Sequence, residues 1–182
     1  YPAVTSGKMW EEEDVLRDKS RLYHAWGVRN VIDTIDGSTL FQKNGHYQFE
    51  EYAKRAEKLA FHDLRWVPRF KIGDPDLLPT SGAKNLQRAV GTERKEAGPM
   101  LSLWESSLGS VYHQMFRDLK TSVAMNRLPV IVLSFASDWG PLYHSSEDPT
   151  SSAWPDFWAG DPAARRSFRR YLTNRYGSVR TV

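Results

Sequence analysis

Gln48-Phe-Glu-Glu-Tyr-Ala-Lys-Arg-Ala-Glu-Lys-Leu-Ala-Phe-His-Asp-Leu-Arg-Trp-Val-Pro-Arg-Phe70 reads as an amphipathic helix running almost directly into a strand. Phe49, Tyr52, Ala53, Ala56, Leu59 and Ala60 recur every three or four residues, which places them on one face of a helix from about Gln48 to His62. Leu64 to Phe70 then reads as a strand. Upstream the same alternation holds. Val28 to Ile35 is a β-branched strand carrying Val31, Ile32 and Ile35, and it stops at the turn signal Asp36-Gly37-Ser38. Before it, Glu11 to Trp26 opens on four acids, where the helix dipole favours them, and carries Val15, Leu22, Tyr23 and Trp26 as its apolar stripe. Gly27 ends that helix.

Downstream, Lys71 to Gly98 is polar and broken by Gly and Pro, which predicts a long loop with a short helix around Ala83 to Val90. A helix follows over about Ser106 to Ala124, striped by Leu108, Val111, Tyr112, Met115, Leu119 and Val123. Pro129-Val-Ile-Val-Leu-Ser-Phe135 is a continuous apolar run, the pattern of a parallel strand buried on both faces. Ala136 to Gly160 is another long loop. It ends in Trp154, Phe157 and Trp158 and leads into a last helix with Asp161 as N-cap and Pro162 in first place. Phe168, Tyr171 and Leu172 form its stripe, and Gly177 closes it. Those three rings suit either plugging the helix against the sheet or stacking on sugar faces.

Alternating strands and helices, with a partial first strand, predict an α/β fold of parallel strands joined by right-handed crossovers. A length of 182 residues suits one domain spanning 1–182. An aromatic share of 13% is high and favours sugar stacking or heavy core packing. The net charge of +3 is small and its residues are interleaved, so nucleic acid is not expected as a partner. The exception is the run of Arg165, Arg166, Arg169, Arg170, Arg175 and Arg180, which reads either as a solvated helix face or as a basic surface. No apolar run approaches a membrane span, so no membrane partner is expected. With no cysteine there is no disulfide framework, thiolate site or cysteine nucleophile, and the compartment is left open. The five histidines lack metal spacing, and neither a phosphate-cradling glycine loop nor a nucleophile elbow is present, so neither metal nor cofactor is expected.

Asn44-Gly-His-Tyr-Gln-Phe-Glu-Glu-Tyr52 leading to Leu64-Arg-Trp-Val-Pro68 resembles the passage after the second strand in barrel glycosidases of the β-amylase and microbial β-galactosidase kind. Pro99-Met-Leu-Ser-Leu-Trp104, Ser137-Asp-Trp-Gly140 and the stretch from Trp154 to Gly177 extend the resemblance to most of the chain. It implies a partial (β/α)8, TIM-barrel-like fold corresponding to the first half of such a barrel. It also implies an oligosaccharide or polysaccharide ligand. Pro141 stands where the family pattern has its acid Glu after the fourth strand, Gln42 lies near the place of another Glu, and the second carboxylate is expected from later strands. The chain therefore reads either as a glycoside hydrolase or as a non-catalytic binding or interaction remnant. As half of a barrel, it is expected to pair with another copy or with a missing half.

In open and closed α/β sheets the site lies beyond the strand carboxyl ends, which here means Thr34 to Asn44, Lys71 to Gly98 and Ala136 to Gly160. Glycoside hydrolysis takes two carboxylates across the scissile bond. Asp138, beside Trp139 at the end of an apolar strand, is one candidate acid, and Glu147 is its substitute. Asp33, Arg69, Asp74, Trp104, Trp139, Tyr143 and Trp158 are the candidate sugar contacts. Asp33 and Asp74 take that role from the family resemblance. Asp36 reads more readily as a turn residue bonded to its own backbone.

Overall fold

A computed structural model describes residues 3–5, 13–40, 46–78, 86–90, 97–124, 128–135 and 159–177. The chain forms two compact units, Tyr1–Lys71 with His113–Leu133, and Ile72–Tyr112 with Ser134–Val182.

The first unit is built on a sheet whose strand order is β1 (Ala3–Thr5), β2 (Asn30–Thr34), β3 (Arg65–Ile72), β6 (Val132–Phe135). β1, β2 and β3 run parallel, with Val4 opposite Val31, Val31 opposite Trp66 and Thr34 opposite Arg69. Helix α1 (Glu13–Ala25) connects β1 to β2, and α2 (Gly37–Leu40) with α3 (Glu50–Phe61) connects β2 to β3. This is the strand-helix alternation of a partial (β/α)8 barrel, as the sequence implied. Phe49, Tyr52, Ala56 and Leu59 bury the α3 face. The ring of Tyr52 stacks on Trp66 at 6.1 Å, while Phe70 meets Phe49 and Phe116 edge-on at 6.3 and 5.3 Å. On α1 the buried line is Leu16, Ser20 and Tyr23, because Ser20 hides its hydroxyl by donating to the Leu16 carbonyl at 2.6 Å. The expected stripe is thus turned by one position, and Leu22 and Trp26 stand exposed.

In the second unit a 3-10 turn (Pro75–Leu77) precedes an antiparallel pair, β4 (Arg88–Val90) with β5 (Ala97–Leu101). Helix α4 (Leu108–Ser122) passes along the chain from this unit into the first, and α5 (Pro162–Tyr176) follows β6. Leu78, Leu101 and Leu108 form a small core with Leu86, Val111 and Tyr112 packed against it.

Three expectations are corrected. Arg88–Val90, placed at the end of a short helix, is a strand, because β5 supplies a ladder that a local propensity argument cannot see; residues 83–85 lie outside the described residues. The apolar run before Phe135 is not buried on both faces. Val130 and Leu133 are 53% and 48% exposed, since among the described residues β6 ends the strand order and has one neighbour. On α5 the stripe is uncovered as well: Ala163 and Ala164 are buried, but Phe168 and Tyr171 are 61% and 57% exposed.

Candidate functional site

Ring contacts from β3 separate the two faces of the first unit's sheet. The rings of Trp66 and Phe70 meet Tyr52 of α3 and Phe116 of α4, so their face, which Pro68 shares by alternation, is the one covered by helices. Side chains alternate along a strand, which sends Val67, Arg69 and Lys71 to the opposite face. Register carries the division across to β2. Val31 and Asp33 share the helix side with Trp66 and Pro68, while Ile32 and Thr34 share the other side with Val67 and Arg69.

Asp33 is 2% exposed. Its Oδ2 accepts from the Trp66 indole N–H at 3.1 Å and from the Arg55 guanidinium at 3.3 Å. Arg55 also donates to Glu51 at 2.6 Å and lies 4.7 Å from the centre of the Tyr52 ring. Burial works against the guanidinium charge, but the bond to Glu51 and the charge of Asp33 outweigh it and hold the Arg55 pKa above its ordinary value. Asp33 therefore lies between sheet and helix, as a buried acceptor tying β2 to β3 and α3. Asp36 is the turn residue its neighbours suggested: Oδ1 accepts from the Ser38 amide at 3.0 Å and hydroxyl at 2.7 Å, and its own amide donates to the Tyr52 hydroxyl at 3.0 Å.

Arg69 and Lys71 stand two residues apart near the carboxyl end of β3, both half-buried, with Thr34 beside Arg69 in register. In a barrel this is the end at which ligands bind. A cavity of about 450 Å³ lined by Ala56, Ala60, Asp63, Leu64, Arg65, Trp66 and Pro129 lies instead at the amino end of β3, the face associated with stability rather than chemistry.

In the second unit Gly73 has a φ of +89°, and a β-carbon there would lie 3.2 Å from the Leu101 carbonyl oxygen. Glycine is required on both counts. The Gly73 amide donates to the Tyr112 hydroxyl at 2.6 Å, and its carbonyl accepts from the Leu101 amide at 2.8 Å. Burial first, and the charge of Asp74 after it, push the Tyr112 pKa above its ordinary value, against the opposing effect of the Gly73 bond. Asp74 caps the 3-10 turn by accepting from the Asp76 amide at 3.0 Å. Trp104 follows β5 with its ring half exposed. The Ser102 hydroxyl accepts from the Trp104 amide at 3.3 Å and donates to Asp161 at 2.9 Å. The same Asp161 oxygen accepts from the Ala164 amide at 2.9 Å as the N-cap of α5.

The candidates thus fall into two sets. Asp33 and Arg69 lie on opposite faces of one sheet, and Asp74 and Trp104 occupy adjacent segments of the second unit, held together by the bond from the Leu101 amide to the Gly73 carbonyl. Asp138, Trp139, Tyr143, Glu147 and Trp158, together with Pro141, lie outside the described residues. Among the described residues no group of three His, Cys, Asp or Glu could hold a metal ion, and no helix is long and apolar enough to cross a membrane. Sequence reading missed the partners of Asp33 and the Ser102–Asp161 bond. Glu51 and Arg55 at four-residue spacing were a usable signal for the first; nothing local marked the second, which joins positions 59 residues apart.

Parallel strands alternating with helices give the chain part of a (β/α)8, TIM-barrel-like fold. Among solved structures it is similar to the catalytic domain of β-amylase from Paenibacillus polymyxa, with a TM-score of 0.74 and 18% identity over 98% of this chain. It spans about half of that protein, 48% of its length. No family model matches the chain, and no curated protein sequence matches it.

Proposed function

We propose that the chain binds an oligosaccharide or polysaccharide at the carboxyl ends of its strands, either as a glycoside hydrolase or as a non-catalytic module of that kind. The observation that carries this reading is the likeness of nearly the whole chain to a β-amylase catalytic domain. Arg69 and Asp74 bind hydroxyls, and Trp104, Trp139, Tyr143 and Trp158 offer rings to sugar faces. Asp138 is the candidate acid and Glu147 its alternative, the two carboxylates that hydrolysis requires. Asp33 supports the wall of the site through Trp66 and Arg55 rather than touching sugar. Pro141 cannot donate a proton, so binding without hydrolysis is the form the proposal takes if Asp138 and Glu147 do not substitute for the missing Glu.

Calorimetric titration with α- and β-linked oligosaccharides, with reducing ends assayed in the same samples, tests this. Binding with turnover that is lost in Asp138→Ala supports a hydrolase. Binding alone supports the module, and no binding to any sugar removes the carbohydrate reading.

A second reading is favoured by the exposed Val130 and Leu133 on and before β6 and by the uncovered stripe of α5. These are apolar surfaces that further strands and helices cover in a closed barrel. A second copy or the other half of a barrel is the partner this implies. Sedimentation over a hundredfold range of concentration would show a rising mass for self-association and a constant one against it.

A further inference from the structure

Helix α5 carries five arginines, Arg165, Arg166, Arg169, Arg170 and Arg175, and no acid between Pro162 and Tyr176. The chain's net charge of +3 conceals this, because 22 acidic residues elsewhere offset most of the 25 basic ones. Arg165, Arg166, Arg169 and Arg170 are exposed and share one side of the helix, since residues three and four apart are neighbours. Tyr176, a heptad beyond Arg169 and also exposed, continues that side. None of the five arginines forms an ion pair among the described residues. Glu105 is held below its ordinary pKa first by the Ser107 hydroxyl, with Arg166 the smallest contributor, so that acid takes up little of the helix's charge. Helix stability does not account for such a face. The pairs Arg165–Arg169 and Arg166–Arg170 are like charges at four-residue spacing, which repel. Arg165 and Arg166 also stand close behind the N-cap Asp161, at the end where the helix dipole disfavours cations, and Arg175 is the one basic residue of the last turn.

Four cations within a rise of about 7.5 Å set the chemistry of the partner. A polysaccharide with one carboxylate per ring is too sparse to match them, whereas a nucleic-acid strand, with a phosphate about every 3.4 Å along its axis, comes near. Guanidinium forks grip phosphate oxygens in pairs. A lipid surface would need another side of α5 to be apolar throughout, and Arg175, seven residues from Phe168 and four from Tyr171, interrupts it. Tyr176 adds an open ring on which an unpaired base can stack. We infer that this side of α5 docks a single-stranded nucleic acid without regard to sequence, with Arg165, Arg166, Arg169 and Arg170 on its phosphates and Tyr176 against a base. The docking surface goes beyond the carbohydrate site and does not depend on it.

The test follows the fluorescence anisotropy of labelled twelve-nucleotide oligo-dT and oligo-U on titration with the 182-residue chain over a range of salt. Duplex DNA of the same length, a polyglucuronate oligomer and phosphatidylserine vesicles are the comparison ligands. The single strands should bind more tightly than any of these, with log Kd rising with log salt at a slope of about 3, from four contacts of about 0.7 each. Arg165→Gln with Arg169→Gln should weaken binding by about tenfold or more at low salt and reduce that slope by about 1.4. Tyr176→Leu should weaken the single strands about fivefold and leave the slope unchanged. Lys54→Gln with Lys58→Gln, which removes two exposed cations from α3, should change Kd by less than about twofold. Far-UV dichroism reports whether each variant is folded, and Arg166→Gln with Arg170→Gln carries the same test if the first arginine pair is not. Four results overturn the inference and leave the carbohydrate reading standing: no binding of single strands, tighter binding of any comparison ligand, a salt slope that the α5 variants keep, or an equal loss in the α3 variant.

Discussion

Helices α3 and α5 look alike in sequence and are held in opposite ways. Each carries large apolar residues at helical spacing. On α3 those residues are buried: Tyr52, Ala56 and Leu59 pack against the sheet, although Phe49 stands at the N-cap and no side chain caps the first turn. On α5 the ends are well made. Asp161 caps the first turn, Pro162 begins it, and Gly177 closes it in the left-handed conformation with φ +75°, yet Phe168 and Tyr171 face solvent. Tertiary burial stabilises α3 where local chemistry is poor, and local chemistry sustains α5 where burial stops after the first turn. Amphipathic spacing alone does not say which of the two a helix has.

That contrast can be broken by mutation. Leu59→Ala leaves a void in a fully buried layer and is expected to lower stability by about 3 kcal/mol in urea unfolding. Asp33→Ala takes the acceptor from the Trp66 indole and one of the two carboxylates from Arg55, which keeps Glu51, and about 2 kcal/mol should be lost, with a change in tryptophan fluorescence. A loss under about 0.5 kcal/mol would show that the α3 layer does not depend on its polar tie. Asp161→Ala removes the cap of α5 and the acceptor for Ser102 together, for about 1 to 2 kcal/mol. Hydrogen exchange should then show faster opening at the start of α5 than elsewhere. Phe168→Ser should cost less than about 0.5 kcal/mol, because its ring is already in water; a loss like that of Leu59→Ala would mean that α5 is covered in solution.

The smallest effect is a titration. The Tyr112 pKa is raised in the folded chain, so the folded state holds this proton more tightly than the unfolded one. The stability this contributes is present below the ordinary tyrosine value of about 10 and is lost as pH rises above it toward the folded value. Urea midpoints should fall as pH rises above about 10 in the parent and fall less in Tyr112→Phe. Equal slopes would remove Tyr112 from the account.

How far the sequence could be read follows from the same contrast. The α3–β3 passage was legible because its helical spacing and its strand pattern agree with what the fold later buries, and Leu108, Met115, Leu119 and Val123 were legible for the same reason. β4 was not, because Arg88–Val90 becomes a strand only through β5. The exposure of β6 was hidden because an apolar run reports what a strand would bury, not how many neighbours it has. For the site, strand alternation could not say which side of β2 the helices cover. Trp66 and Phe70, stacked under α3 and α4, decide that, and with it they put Arg69 and Lys71 on the other side. Asp161 could be read as a cap from Pro162 alone, whereas its bond to Ser102 needed the fold.

The bond from Gly73 to Tyr112 joins positions 39 residues apart. The chain leaves along β3 and comes back into α4 at almost the same point, so everything between is an excursion whose entrance and exit share one doorway. Closing such a loop costs little more when it is long than when it is short. The stretch from Asp74 to Ser107 is therefore a natural cassette, one that could be shortened, enlarged or exchanged with little call on the strand that precedes it and the helix that follows. Trp104 and Asp74 travel with the cassette, while Arg69 and Lys71 stay with the frame.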